Sequence, residues 1–83
     1  AVVVSVAASG GTATVDLADE FGELPGDEQL LAVAQMTCTL TAQPGIGRVR
    51  FRLGGEHVDV PVQGGSLVGR AVTRVDYERL YVN

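Results

Sequence analysis

Three arginines alternate with apolar residues in the segment Arg48-Val49-Arg50-Phe51-Arg52, and His57 and Asp59 follow shortly after. Guanidinium groups present a rigid fork of donors that matches carboxylates and phosphates two bonds at a time. This spacing therefore describes an anion-binding surface with His57 and Asp59 at its margin. The plainer reading is a solvated strand face partly neutralised by nearby acids, since exposed ion pairs contribute little. His57 has the side chain of a general base, but no Ser, Cys or second carboxylate is spaced to work with it. A lone histidine beside a turn is ordinarily a surface residue.

The other reactive side chains form no constellation. Cys38 is the single cysteine and has no partner for an internal disulfide. Its place in a helical pattern makes it a small hydrophobe of the buried face. Asp19, Glu20, Glu23, Asp27 and Glu28 form an acidic cluster. It lacks the alternating ligands and central glycine of a calcium loop, so it reads as solvated, or as a complement to the arginines of another copy. Tyr77 and Tyr81 stand four apart, on one side of a short helix, as packing residues. No catalytic residue, metal ligand set or cofactor loop is expected.

Composition narrows the field. Eighty-three residues make one domain with a small core. The net charge is −4, which argues against a nucleic-acid partner. Residues 1–47 carry six acids and no base, whereas residues 48–83 carry all six arginines and four acids. Trp is absent and aromatics make up 5% of the chain, leaving few rings for stacking on bases or sugars. No stretch reaches the roughly 18 apolar residues that span a bilayer. The chain opens on AVVVSV with neither Met nor a signal peptide, and is expected to be a piece of a longer protein.

Two period-two runs, Val2–Ala8 and Thr12–Leu17, flank Ser9-Gly10-Gly11 and predict a hairpin that pairs Val6 with Val15 and Val4 with Leu17. Ala18–Gly26 is an acidic loop. A helix is predicted from about Glu28 to Ala42, with Asp27 as its N-cap. Leu30, Val33, Ala34, Thr37, Cys38 and Leu40 or Thr41 form its buried stripe. Thr37, Thr39 and Thr41 are expected to bond to backbone near its end. Pro44, Gly45 and Gly47 break it.

Arg48–Leu53 alternates strictly, Gly54-Gly55 turns the chain, and His57–Val62 returns. A two-residue turn pairs Phe51 with Val58, Val49 with Val60, Arg52 with His57 and Arg50 with Asp59. Pro61 marks that return strand as an edge. Gln63–Gly69 reads as a flexible loop. Thr73-x-x-Asp76 resembles a capping box ahead of a turn of helix through Tyr77–Leu80. The expected architecture is α+β: two β-hairpins flanking one amphipathic helix (β-β-α-β-β), the helix on one face of a small sheet, and a short C-terminal helical turn. The domain is expected over residues 1–80, with 81–83 starting a linker.

Several of these residues, in order, resemble the GerMN domain of spore-germination and sporulation lipoproteins and of related actinobacterial envelope lipoproteins. They are Val15-Asp16-Leu17, Gln35, Thr39-Leu40-Thr41, Pro44, Val49-x-Phe51, Gly55 and Arg74-x-Asp76-Tyr77. The similarity covers most of residues 12–78. The family's usual upstream segment, a strand and a helix ending near Leu-Leu-x-Gly-Pro, has no counterpart before Val2–Ala8. The resemblance implies an extracytoplasmic, non-catalytic module of the cell envelope, whose partners are envelope proteins or cell-wall material. It brings no catalytic residue. On this reading the candidate binding residues are Arg48, Arg50, Arg52, His57 and Asp59, acting in protein assembly, cell-wall association or binding of peptidoglycan fragments. A structural spacer is the remaining alternative. A half-covered sheet would leave strand edges open to self-association.

Overall fold

Alternation of Val, Ala and Leu with polar residues builds the sheet, as a computed structural model describing residues 2–80 shows. Strand β1 (Val3–Ser9) turns at Gly10-Gly11 into β2 (Thr12–Leu17). Both glycines hold positive φ, 59° and 84°, the conformation a tight two-residue hairpin needs. The chain then passes through a 3-10 turn (Asp19–Glu23) and helix α1 (Gly26–Thr41) to β3 (Arg48–Leu53), which lies parallel to β2. The short β4 (Glu56–His57) completes a sheet of order β1-β2-β3-β4. Beyond it, β5 (Val60–Pro61) and β6 (Leu67–Val68) form a second, two-stranded sheet, and a 3-10 segment covers Arg74–Leu80. The architecture is α+β, with one main helix on one face of the sheet.

The core is the inner face of β2 and β3 against α1. Ala13, Val15, Leu17, Val49, Val33 and Ala34 are fully buried. Burial of each valine or leucine among them stabilises by about 1.5–3 kcal/mol relative to exposure. Phe21, Phe51, Val60, Val72 and Tyr77 belong to the same buried cluster.

Several expectations are corrected. The first hairpin pairs Val6 with Val15, but a register shift between Val3 and Ser5 sets Val3, not Val4, opposite Leu17. A bulge on an edge strand accommodates the extra residue and leaves Val4 63% exposed. The helix starts at Gly26, so Asp27 is not its N-cap. Pro25 holds that position without a side-chain cap, and Asp27 and Glu28 lie in the first turn, where acids favour the helix dipole. Near the helix end Thr41 Oγ1 donates to the Thr37 carbonyl at 2.7 Å, while the buried Thr37 hydroxyl has no partner among the described residues.

The second hairpin is shorter than expected. Arg52 pairs with His57 and Leu53 with Glu56, but the pairings of Phe51 with Val58, Val49 with Val60 and Arg50 with Asp59 do not form. The chain leaves the sheet after His57, and Val72 takes the place beside Val49 through two backbone bonds of 2.8 and 2.9 Å. Val60 is drawn under α1, and Pro61, which has no N–H for a ladder, offers its carbonyl to the Tyr77 hydroxyl at 2.9 Å. Gln63–Gly69 is accordingly no simple loop, since Leu67 and Val68 pair with β5. The linker expected at 81–83, with Tyr81, lies outside the described residues.

Candidate anion-binding site

Strand alternation places Arg48, Arg50 and Arg52 on the sheet face that α1 leaves uncovered. The parallel register aligns each with a β2 residue on the same face: Thr12 with Arg48, Thr14 with Arg50, Asp16 with Arg52. The β1 register extends the rows to Ser9, Ala7 and Ser5. The result is a grid with hydroxyl-bearing rows at the Arg48 end and an acid at the Arg52 end. All three arginines are exposed, and none makes a side-chain hydrogen bond or ion pair among the described residues.

The structure separates the five candidates into two groups. His57 sits beside Arg52 across the β3–β4 ladder. Its Nε2 lies 3.1 Å from Asp59 Oδ1, and both side chains are more than half exposed. Asp59 thus serves His57 rather than Arg50. Among the described residues His57 has no other side-chain hydrogen-bond partner. Asp16 is tied down differently: its Oδ1 accepts from the Gly55 N–H at 2.9 Å and pins the β3–β4 turn to β2.

Arg70 is committed elsewhere. Its Nη1 and Nη2 donate to the two Asp76 oxygens at 2.9 and 2.7 Å, and the Thr73 N–H adds a third bond at 2.8 Å. The last bond is half of the capping box expected from Thr73-x-x-Asp76. The Arg70 hydrogen bonds hold the Asp76 carboxyl below its ordinary range, outweighing the opposing effect of burial. A carboxyl lowered in the folded state stabilises the fold above the unfolded value of about 3.9, and that contribution is lost as pH falls through the lowered folded value. The urea midpoint of the native chain is therefore expected to fall steeply below about pH 4. Asp76→Asn should start lower at neutral pH and show a shallower acid limb. Parallel slopes for the two proteins would refute this assignment.

A second surface was not legible in the sequence. Helix α1 packs against β3, β5 and the C-terminal 3-10 segment, while β1 is left exposed. All of β1 is exposed, and a shallow apolar groove of about 230 Å³ runs between Val3 and Val6 on β1 and Met36 and Leu40 on α1. Hydrophobic alternation correctly paired Val6 with Val15, but whether a helix covers Val6 depends on the crossover geometry. Among the described residues there is no group of three or more His, Cys, Asp or Glu able to hold a metal ion, and no helix is long and apolar enough to cross a membrane.

Comparison with known proteins agrees with this fold. Residues 1–59 match the Germane family, described as sporulation and spore germination. The first GerMN domain of the sporulation protein GerM from Bacillus subtilis superposes with a TM-score of 0.71 at 28% sequence identity, covering 88% of this chain. The chain spans about half of that solved chain, 55% of its length. No curated protein matches. The match in sequence over more than half the chain, together with the shared arrangement of sheet and helix, makes this chain a member of the Germane family of sporulation and spore-germination domains.

Proposed function

We propose that this domain is a non-catalytic, extracytoplasmic module of the cell envelope that associates with anionic cell-wall material or envelope proteins through its arginine face. The observation that carries the reading is the column of Arg48, Arg50 and Arg52 on an uncovered sheet face, unpaired among the described residues. An unpaired guanidinium keeps its full capacity for a bidentate anion. The family's connection with sporulation and germination supports an envelope setting. The exposed His57–Asp59 pair, with no nucleophile bonded to it among the described residues, favours association over catalysis.

A second reading, assembly by strand pairing, is favoured by β1. Its seven residues, VVSVAAS, are all exposed and include no charge and no proline, the usual guards of a sheet edge. One experiment tests both. An amide NMR titration with soluble muropeptides is run beside a dilution series and a co-sedimentation assay with purified cell walls. Association through the arginine face is expected to shift amides of residues 48–57, and Arg50→Glu is expected to abolish both the shifts and the co-sedimentation. Dilution-dependent shifts confined to β1, unaffected by Arg50→Glu, would favour assembly instead. Silence in all three would leave a structural spacer.

A further inference from the structure

Resting on the reading of the arginine face as anion-binding, we infer that its Arg48–Arg50 half takes a linear poly(polyol phosphate) laid along β3. Alternate residues of a strand stand about 6.7 Å apart, the span of two peptide repeats. Two peptide repeats contain the same number of backbone bonds as one repeat of a phosphodiester joined through a three-carbon polyol. An extended chain of that kind presents successive phosphates at the pitch of successive arginines. Each guanidinium can then grip one phosphate by two bonds.

The rows beside the arginines fit the rest of such a polymer. Thr12 and Thr14 stand next to Arg48 and Arg50, and Ser9 extends the Arg48 row. None of these hydroxyls has a side-chain hydrogen bond among the described residues, so each is available to a phosphate oxygen or a polyol hydroxyl. The Arg52 row is different. Asp16 lies beside Arg52, and the acidic 3-10 turn approaches the same end, with Asp19 Oδ1 3.1 Å from where a Cβ on Gly54 would stand. Like charge there works against a polyanion and centres the site on Arg48 and Arg50.

Two other polyanions fit less well. Single-stranded nucleic acid is held by stacking of bases on exposed rings. Phe21, Phe51 and Tyr77, the aromatic residues described, are all buried. An acidic peptide lying across a sheet face gains no ladder hydrogen bonds from its backbone, which forms them only at a strand edge.

The test measures binding of the intact chain to synthetic poly(glycerol phosphate) of defined length, glycerol phosphate, polyglutamate and oligothymidylate at low and high salt. The polymer is expected to bind at least about tenfold more tightly than its monomer, because a second phosphate engages without a second encounter, and to weaken with salt. Arg48→Gln and Arg50→Gln are each expected to weaken it about tenfold, and Arg52→Gln by about threefold or less. Equal or tighter binding of polyglutamate or oligothymidylate would overturn the polymer assignment while leaving the anion-binding face intact. Binding of the polymer no tighter than the monomer would do the same. Binding of none of the four would overturn both.

Discussion

Tyr77→Ala is expected to leave the domain largely unfolded at ordinary temperature. The Tyr77 ring is fully buried, and its hydroxyl donates to the Pro61 carbonyl, joining the C-terminal 3-10 segment to the small sheet beside α1. Truncating a buried aromatic of this size costs about 3–5 kcal/mol. At roughly 0.05–0.15 kcal/mol per residue, a chain of this length has a total stability of about the same order. Tyr77→Phe separates the ring from the hydroxyl. It keeps the packing and removes only the donor to Pro61, at a cost of about 1–3 kcal/mol. Burial also pushes the phenol well above its ordinary range. A group whose pKa is raised in the folded state contributes stability below the unfolded value of about 10, and that contribution is lost as pH rises. Urea titrations followed by circular dichroism should thus show an alkaline decline in the native chain that is absent from Tyr77→Phe. Native-like stability in Tyr77→Ala would mean that the C-terminal segment is not part of the cooperative fold.

The elements with a clean local period were legible from the sequence. Thr12–Leu17 and Arg48–Leu53 alternate, and Gly-Gly turns follow or precede them, so their faces and bounds emerge from short-range steric rules. Helix α1 was legible through Val33, Ala34 and Thr37, which recur at helical spacing and are the residues the structure buries. The failures share a cause. Val49 needs an apolar neighbour across the ladder, and both Val60 and Val72 satisfy that pattern. The choice of Val72 is made by packing at a distance: Val60 and Pro61 are drawn to α1 and Tyr77. No period in a two-residue strand announces this.

The site shows the same division. Alternation alone assigned Arg48, Arg50 and Arg52 to one face, and the Gly54-Gly55 turn correctly set His57 beside Arg52. The hydroxyl rows were hidden, because they arise from the parallel register of β2 on β3, which a helical crossover determines. Asp59 was misplaced for the reason that displaced Val60: the strand ends two residues before it, and the carboxylate turns to His57.

Phe21→Ala carries the second large expected effect, and it bears on the polarity of the arginine face. Residues 18–26 read as an acidic loop, yet Phe21 is 2% exposed and anchors a 3-10 turn in the core. Gln29 reinforces that anchor by donating from Nε2 to the Phe21 and Leu24 carbonyls at 3.2 and 3.1 Å, which ties the turn to the start of α1. Removing the ring should cost about 3–5 kcal/mol. For a domain of this size that lowers the thermal midpoint by more than about 10 °C. Phe21→Leu, which nearly conserves volume, should lose less than about 1.5 kcal/mol. A turn held only by solvated acids would respond equally little to both changes, and thermal denaturation distinguishes the cases. The anchor also positions charge. Gly22 packs near Leu53, and Asp19 approaches Gly54, so the ring fixes the acidic turn at the Arg52 end of the ladder. The fold thereby places an acidic turn beside one end of a cationic column and sets Thr12 and Ser9 in the row of Arg48 at the other, which gives an otherwise uniform row of arginines a direction.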